Sequence, residues 1–401
     1  MTDIYMDNNA TTRVDPQVVA EMLPYFTEQF GNPSSMHSFG GKVGGKLEWA
    51  REQTQKLLGA EHGTEIIFTS CGTESDSTAI LSALAAYPAR KEIVTSIVEH
   101  PAVLALCEHL EKQGGYTIHR IGVDGKGRLD MDAYARALSD KVAVVSIMYA
   151  NNETGTIFPV EALARMAKMH GILFHTDAVQ AAGKTPLNMK DSAIDMLSMS
   201  GHKLHAPKGV GALYVRRGVR FRPFLRGGQQ ERGRRAGTEN TTGIIGLGKA
   251  AELALSHMHI ENTQVMALRD RLEQGILAAV PNCFVTGDTD HRLPNTCNIA
   301  FEYIEGEAIL LLLSHAGIAA SSGSACTSGS LEPSHVMRAM GIPYTAAHGS
   351  TRFSLSRENT QAEVDRVIEV MPRIIKQLRA LSPYWGVNGP IEERTFAPVY
   401  A

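Results

Sequence analysis

Short, nearly all-apolar runs alternate with amphipathic stretches between about residues 60 and 216 of the 401-residue chain. The runs are EIIFTS, IVTSIV, VAVVSIMYA, GILFHTD, IDMLSMS and GVGALYV, and they begin at residues 65, 93, 142, 171, 194 and 209. A short apolar run is typical of a strand buried on both faces, as the strands of parallel sheets are. The stretch from Pro159 to Gly171 instead repeats its apolar residues at helical spacing. The alternation predicts an α/β fold with a mostly parallel sheet covered by helices.

The pattern changes after residue 260. Helices are predicted for VMALRDRLEQGILAAV, EGEAILLLLSHAG and TQAEVDRVIEVMPRIIKQLRAL, and strands for CNIAFEY, IAAS and TRFSLS. Thr360 and Glu363 have the spacing of a capping box in front of the last helix. We therefore expect a large domain over 16–260 and a smaller α+β domain over 261–401, with an N-terminal segment, 1–15, packing with the small domain.

Composition and charge narrow the function classes. A net charge of −3 provides no basic field for nucleic acid or an anionic membrane, and the longest strongly apolar run is only Ile309–Leu313. Five widely spaced cysteines indicate a reducing compartment rather than a disulfide framework, and no CxxC pair indicates an intrinsic metal site. The start of the chain lacks a secretory pattern. We expect a cytoplasmic protein that binds neither nucleic acid nor membrane.

Polar and titratable residues follow most of the predicted strands. Gly72 and Thr73 follow the first, His100 the second, Asp177 the fourth and Lys203 the fifth. In open α/β sheets ligands bind at the carboxyl ends of the strands, so these side chains are candidates for one site.

Each candidate also has an ordinary explanation when it is taken alone. The GTES turn is either a plain helix cap or an anion site at a helix start. Asp177 is either a structural carboxylate or the partner of a protonated ring nitrogen. His100 is either locally hydrogen-bonded or an acid–base group. Lys203 and its rival Lys208 are either solvated lysines or amines able to link to an aldehyde. Together these groups meet the requirements of pyridoxal phosphate, whereas each alone is a weak signal.

Two further segments carry chemistry. Cys326 stands in SSGSACTSG, where no apolar neighbours fix it in a core, so it is either an unremarkable surface cysteine or a reactive thiol on a mobile segment. The arginine-rich stretch ending in RRAGTEN is a candidate nucleic-acid patch, but the negative net charge favours a solvated loop or a subunit contact. Thr238 at its end is placed to reach a phosphate.

Many motifs of the chain match those of one family. They are DNNATT (from residue 7), GNPSS (31), TSCGTES (69), VEHPAV (98), NNETGT (151), HTDAVQ (175), SGHKLHAPKG (200), RRAGTEN (234), SSGSACTSG (321) and RFSLSR (352). In this order, over almost the whole chain, they resemble the pyridoxal-phosphate-dependent cysteine desulfurases of the class-V aminotransferase family. The resemblance extends to the group with NifS and IscS types, and is strongest to the NifS type of nitrogen-fixing bacteria.

The resemblance implies fold type I of the pyridoxal-phosphate enzymes, with a seven-stranded sheet in the large cofactor-binding domain, and a homodimer. It implies that Lys203 carries the cofactor, Asp177 pairs with the pyridine nitrogen, Gln180 contacts the ring oxygen and His100 stacks on the ring. The implied phosphate-binding set is Gly72, Thr73, Ser200, Gly201 and His202, with Thr238 arriving from the partner subunit. Asn152 and Arg352 would bind the substrate carboxylate. Asn152 would also contact the cofactor. Cys71 and Gly72 depart from the Gly and Ala of many relatives, without an expected change in mechanism.

The activity implied is conversion of L-cysteine to L-alanine with a persulfide left on Cys326, which lies on the small domain's mobile loop. The sulfur would go to an iron–sulfur scaffold protein, most specifically for nitrogenase maturation, with Cys326 a candidate transient ligand of the cluster. The alternatives are another class-V enzyme, an aminotransferase or selenocysteine lyase, and a non-enzymatic sulfur carrier or arginine-rich binding module.

Overall fold

The structure is a computed structural model that describes residues 3–322, 333–387 and 389–391. Its strands are β1 (Ile4–Tyr5), β2 (Ile66–Thr69), β3 (Glu92–Ser96), β4 (Thr117–Ile121), β5 (Val142–Ser146), β6 (Leu173–Asp177), β7 (Met196–Ser200), β8 (Gly211–Val215), β9 (Cys283–Val285), β10 (Thr296–Phe301), β11 (Ile318–Ala319), β12 (Ser350–Ser354), β13 (Trp385–Gly386) and β14 (Gly389–Pro390). Its α-helices are α1 (Pro16–Met22), α2 (Pro24–Thr27), α3 (Ser38–Leu58), α4 (Gly72–Ala86), α5 (Pro101–Gly114), α6 (Met131–Ala137), α7 (Val160–Met169), α8 (Thr241–Ile260), α9 (Met266–Ala279), α10 (Gly306–His315), α11 (His335–Ala339), α12 (Tyr344–Ala347) and α13 (Gln361–Arg379).

Seven strands form the central sheet in the order β2-β8-β7-β6-β5-β3-β4. The pairs from β7 to β4 are parallel, and only β8 runs against its two neighbours. Strands β5, β7 and β8 are buried along their whole length, which explains their continuous apolar sequences. The predicted α/β fold with a mostly parallel sheet is therefore confirmed.

A smaller antiparallel sheet lies in the C-terminal part of the chain, in the order β12-β10-β9. The N-terminal strand β1 pairs with β11, and Asp7 forms a bridge with Ser354 next to that sheet. Ile4 and Met6 pack in a second hydrophobic core together with side chains of β10, α9, α10 and α13. The start of the chain therefore packs against the smaller sheet.

Two separate hydrophobic clusters cover the two faces of the central sheet, and the larger one extends past the expected domain boundary. The expected boundary at residues 260 and 261 coincides with a π-helical stretch, Glu261–Val265, which joins α8 to α9. Val336 and Met337 of α11, assigned from the sequence to the small domain, pack in the core of the large one. The division at 1–15, 16–260 and 261–401 stays a prediction.

The predicted elements occur with shorter bounds, and some elements were not predicted. The capping box of Thr360 and Glu363 starts α13, as expected. Pro159 is the N-cap residue of α7, which starts at Val160. Strand β4 was not predicted, because at this sheet edge only Ile118 and Ile121 of its five residues are buried. Strand β9, helix α6 and the pair of strands β13 and β14 were also missed.

Within the described residues, no helix combines the length and apolarity needed to cross a membrane. Four cysteines in this part of the chain are free thiols, and no cluster of metal-ligating side chains occurs there. Cys107 is buried in the core of the large sheet.

Glu231, in the arginine-rich stretch, forms a buried ion pair with Arg51 of α3. Glu231 accepts hydrogen bonds from both terminal nitrogens of Arg51, at 2.8 and 2.7 Å, and from the backbone N–H of Phe68. Since removing one partner leaves a buried charge unpaired, we expect Glu231→Gln to lower the free energy of unfolding by about 3–5 kcal/mol in a urea titration.

Glu48→Gln is the matched control, because Glu48 also contacts Arg51 but its side chain is 66% exposed. It should cost below about 1 kcal/mol, as exposed pairs do. Equal effects of the two substitutions would contradict a special contribution of the buried pair.

Candidate active site

A cavity of about 370 Å³ lies at the carboxyl ends of the parallel strands. Ten of the residues singled out from the sequence line it, namely Gly72, Thr73, His100, Asn152, Asp177, Gln180, Ser200, His202, Lys203 and Arg352. Asp177 and Ser200 are the last residues of β6 and β7, Arg352 lies within β12, and the others follow a strand. The folding of the parallel sheet brings these distant segments to one edge, as the strand-end argument predicts.

Lys203 lies in the single helical turn that follows β7. Its Nζ donates hydrogen bonds to the backbone carbonyls of Asn9 and Ala10, the latter at 2.8 Å. Burial, with additional repulsion from Arg352 and Lys184, lowers the pKa of Lys203 to about 7. A large fraction of this amine is therefore neutral at neutral pH, which an amine needs in order to act as a nucleophile or a base.

Asp177 ends β6, and its Oδ1 accepts the backbone N–H of Val179 at 2.9 Å. Burial raises the pKa of Asp177 to about 6, although the Val179 hydrogen bond and the nearby Lys203 favour the carboxylate. A second carboxyl group, Asp76 of α4, is 1% exposed in the same cavity wall. Burial, followed by repulsion from Asp177, raises the pKa of Asp76 well above its usual range. A cationic group in this cavity would be stabilised by the pair.

His100 is the N-cap of α5, where its Nδ1 accepts the backbone N–H of Ala102 at 3.1 Å. Burial, followed by repulsion from Lys203 and His335, lowers the pKa of His100 to about 4. The ring is therefore neutral near pH 7, with its proton on Nε2. The preceding Glu99 is fully buried and accepts hydrogen bonds from the Ser96 hydroxyl and the Met148 backbone N–H, so this strand end is firmly held.

The start of α4 forms one wall of the cavity. Cys71 caps the helix without a side-chain hydrogen bond to its first turn. Gly72 permits a close approach, since a Cβ there would lie 2.8 Å from Cγ2 of Val179. The hydroxyl of Ser200 is buried without a hydrogen-bond partner among the described residues. Unpaired helix N–H groups and an unpartnered hydroxyl are what a phosphate group would satisfy.

Two further predicted residues border the lysine. Gln180 donates from Nε2 to the carbonyl of Asn9 at 3.0 Å. His202 lies 3.2 Å from the Thr11 hydroxyl through its Nδ1. Burial, followed by repulsion from Lys203, lowers the pKa of His202 to about 4, so this ring is neutral as well.

Arg352 is 2% exposed and is held by two groups. Its Nη1 donates to the backbone carbonyl of Asn152 at 2.9 Å, and its Nη2 pairs with Asp7 at 2.7 Å. Its Nε has no hydrogen-bond partner among the described residues. The guanidinium is thus oriented in advance at the cavity, with N–H capacity left for an anionic ligand.

Two of the predicted residues within the described part of the chain do not line this cavity. Gly201 packs behind it, where a Cβ would lie 2.9 Å from Cγ1 of Val210. Thr238 lines a different cavity of about 130 Å³ beside Arg235 and Asn240. Cys326 lies outside the described residues. Of the arginine-rich stretch, expected as a solvated loop or subunit contact, Arg235 pairs with Glu74 of α4 at 2.8 Å.

Several cavity residues were missed from the sequence. Asn9 and Asp76 line it, as do Ser334 and His335 at the start of α11. Ser334 donates to the buried carboxyl group of Glu153, and the Nε2 of His335 lies 3.0 Å from the carbonyl oxygen of Glu99. The asparagine pair in DNNATT was quoted for the family resemblance, but no local pattern indicated that its backbone would contact Lys203.

The chemistry of this residue set fits pyridoxal phosphate. The unpartnered Ser200 hydroxyl and the start of α4 suit the phosphate group, and the buried carboxyl pair suits a protonated ring nitrogen. The neutral amine of Lys203 suits the aldehyde.

Comparison with known proteins gives a consistent picture. Residues 4–367 match the class-V aminotransferase family. The chain is 70% identical to the cysteine desulfurase NifS of Azotobacter vinelandii, over the full length of both. Among solved structures, a NifS-like protein superposes with a TM-score of 0.88 at 37% identity, covering 94% of this chain and 100% of that one. SspA, solved in complex with cysteine, superposes with a TM-score of 0.78 at 33% identity, covering 89% and 100%.

The family match covers most of the chain, and it agrees with the fold and with the set of residues that line the cavity. The chain belongs to the class-V aminotransferase family and, within it, to the pyridoxal-phosphate-dependent cysteine desulfurases.

Proposed function

We propose that this enzyme converts L-cysteine to L-alanine and places the sulfur atom on Cys326 as a persulfide. The observation that carries the proposal is the meeting of Lys203, Asp177 and Arg352 in one cavity, with the lysine pKa lowered to about 7. The NifS name of the relative and the bound cysteine of SspA support the choice of substrate.

Pyridoxal phosphate, when bound, supplies an electron-withdrawing ring that stabilises negative charge at the α-carbon of an attached amino acid. Lys203 would hold its aldehyde and Asp177 its ring nitrogen. The side chain of Gln180 would contact the ring oxygen, and His100 would lie against the ring. Gly72, Thr73, Ser200 and His202 are the proposed phosphate contacts, supplemented by Gly201 behind them and by Thr238 of a second subunit.

Lys203 is the proposed base for the α-proton of the substrate. A buried amine with a lowered pKa binds and releases a proton near neutral pH, which suits a group that must do both in each turnover. Arg352 would bind the substrate carboxylate through the N–H capacity left by Asp7 and Asn152. Asn152 thereby contributes through its backbone carbonyl, which orients the guanidinium.

The sulfur step balances without an external oxidant. The thiolate of Cys326 attacks the substrate sulfur, the Cβ–S bond breaks, and its electron pair stays on the substrate carbon, which takes up a proton. The enzyme thiol and L-cysteine thus become an enzyme persulfide and L-alanine. An aminotransferase or selenocysteine lyase reaction is the alternative, in which Cys326 would be dispensable.

A homodimer is the proposed assembly. Large apolar side chains are exposed on and after α1 and α2, with Leu23, Phe26, Phe30 and Phe39 each more than half exposed. Such a patch is typical of an interaction surface. The position of Thr238 in a separate cavity agrees with a role in the site of a second subunit.

An iron–sulfur scaffold protein is the proposed sulfur acceptor, and Cys326 would be a transient cluster ligand during transfer. The likeness to a NifS protein favours service to nitrogenase. The free thiols among the described cysteines agree with a cytoplasmic location.

Replacing the proposed sulfur nucleophile tests the reaction. Cys326→Ala should abolish sulfide release and the persulfide, while the cofactor absorbance stays unchanged, because the alanine removes only the sulfur-accepting group. The measurement is alanine formation together with peptide mass spectrometry after incubation with L-cysteine.

Cys71→Ala is the matched control, since Cys71 is a thiol that lines the cavity. It should retain the persulfide on Cys326. Full turnover of Cys326→Ala, or a persulfide found on Cys71, would contradict the assignment of Cys326 as the sulfur-accepting residue.

Arg352→Lys tests the carboxylate contact. A lysine provides a point charge instead of a planar fork, so KM for L-cysteine should rise roughly tenfold with a smaller change in kcat. Steady-state alanine production gives both constants. Arg271→Lys, at an exposed ion pair with Asp365, should leave KM unchanged. An unaltered KM in Arg352→Lys would remove Arg352 from substrate binding.

Light scattering on the purified protein tests the dimer. The mass should be twice that of one chain, and Phe30→Asp should lower it towards one chain because it charges the apolar patch. Leu381→Asp, at a side chain 79% exposed elsewhere, is the control and should stay dimeric. A wild-type protein of single-chain mass with full activity would refute the dimer.

A further inference from the structure

Lys184, in the turn region after β6, is a buried cation that the proposed reaction does not use. It is 6% exposed. Its Nζ donates to the backbone carbonyl of Gln180 at 3.1 Å and to the side-chain Oε1 of the same residue at 3.4 Å. In the described part of the chain no carboxylate forms an ion pair with it within 4.0 Å. Burying an ammonium group that is held by neutral carbonyls costs free energy, which indicates that Lys184 has a role beyond packing.

The first consequence is that Lys184 determines the orientation of the Gln180 amide. An ammonium group only donates, so the atom facing it must be the carbonyl oxygen Oε1. The amide nitrogen Nε2 then faces the opposite way, where it donates one proton to the carbonyl of Asn9 at 3.0 Å. Gln180 also lines the active-site cavity, so the remaining N–H is left for a ligand there. A neutral side chain without a donor at 184 would let this amide turn over.

The second consequence concerns Lys203, which is connected to Lys184 from two sides. The carbonyl of Asn9 accepts from both Gln180 and Lys203, so the two lysines are the ends of one short hydrogen-bonded chain. Both also line a small cavity of about 20 Å³, which is separate from the active-site cavity and from the cavity at Thr238. The charged forms of the two amines repel each other through a medium of intermediate dielectric.

We propose that Lys184 is a positioning residue for the active site, whose charge adds to the burial that favours the neutral Lys203 amine and whose N–H groups fix the Gln180 amide. The proposal rests on the role of Lys203 given above and adds a reason for its reactivity. The positive charge of Lys184 affects the reactivity of the Lys203 amine from outside the active-site cavity, without contact to the substrate.

The other charged groups near the two lysines set the size of the effect. Those that face Lys203 are Arg352, Asp7 and Asp177, with the neutral rings of His100 and His202 beside it. Those that face Lys184 are Glu261 and Arg352, and the shared small cavity adds His205 and Arg357. Asp7 and Asp177 favour the protonated form of Lys203 and act against the proposed effect, whereas Arg352 acts with it. Glu261 favours the charged form of Lys184 and so supports the effect.

The sign of the pH effect follows directly. Burial, partly offset by Glu261, lowers the pKa of Lys184 to about 8, so its charge is largely present where Lys203 titrates, near pH 7. Removing that charge should raise the pKa of Lys203 and reduce its neutral fraction at pH 7.

The test is acetylation of residue 203 in the full-length protein after removal of the cofactor. Brief exposure to acetic anhydride at pH 5.5 to 10, followed by peptide mass spectrometry, gives the midpoint of reactivity. Lys184→Gln keeps a donor for Gln180 but loses the charge, and it should raise the midpoint by about one pH unit. Lys184→Arg keeps the charge, and it should stay within a few tenths of a unit of the wild type.

Lys184→Met loses both features, so it should show the same rise in midpoint and in addition release cofactor faster on dialysis of the holoenzyme. Lys208→Gln is the matched control, because Lys208 is exposed five residues after Lys203 and should not move the midpoint. Circular dichroism establishes that each variant is folded.

A midpoint for wild-type residue 203 near the 10.5 of an ordinary lysine would overturn the proposal without any variant. So would an unchanged midpoint in a folded Lys184→Gln, or an equal rise in Lys184→Arg. Failure of the proposed function has a different signature, namely borohydride fixing the cofactor to a residue other than Lys203, which leaves these midpoints unaffected.

Discussion

Burial of ionisable groups at one edge of the parallel sheet is the constraint on which the site depends. Lys203 and Lys184 donate to carbonyl oxygens, and Arg352 is left with Asp7 as its ion-pair partner. The two carboxyl groups of Asp76 and Asp177 lie in the same wall. Because charges are poorly solvated here, amines lose their protons more easily and carboxyl groups keep theirs. This imbalance makes a lysine reactive at neutral pH without any specialised local sequence.

The N-terminal segment transmits this constraint between distant parts of the chain. Asn9 is 1% exposed, and its backbone N–H donates to the Ser354 hydroxyl while its carbonyl accepts from Gln180 and Lys203. Its side chain donates to the hydroxyl of Thr296 and accepts from Asn295. Asn9 thus connects the smaller sheet to Lys203. A displacement of that sheet would move the carbonyl that accepts the hydrogen bond of the amine. The hydrogen bonds between β12 and the N-terminal segment therefore help to hold the carbonyl groups that accept from Lys203.

The candidate site was largely predictable, and the reason lies in the regularity of parallel sheets. His100, Asp177 and Ser200 were found because apolar strands are easy to recognise and ligands gather where such strands end. Asn9 and Asp76 were missed, since each acts on a residue far away in sequence and has no local signature. Lys184 was missed because its nearby contact with Gln180 gains a role only beside Lys203. Strand β4 escaped for a related reason, because an edge strand is half exposed and shows no continuous apolar run. The role of Cys326 still depends on resemblance and chemistry, since that residue lies outside the described part of the chain.

The sequence by itself determined the α/β class, the order of the main elements, the family and the identities of the chemical groups, because these follow from local apolar periodicity and from short motifs. Only the tertiary structure decided which of the groups meet, that Asn9 provides the carbonyl beneath Lys203, and that Gly201 and Thr238 lie away from the cavity. It also decided the protonation of the groups that do meet. The physical reason is that hydrogen bonding and the electrostatic cost of burial depend on distances between side chains, which no spacing along a chain records.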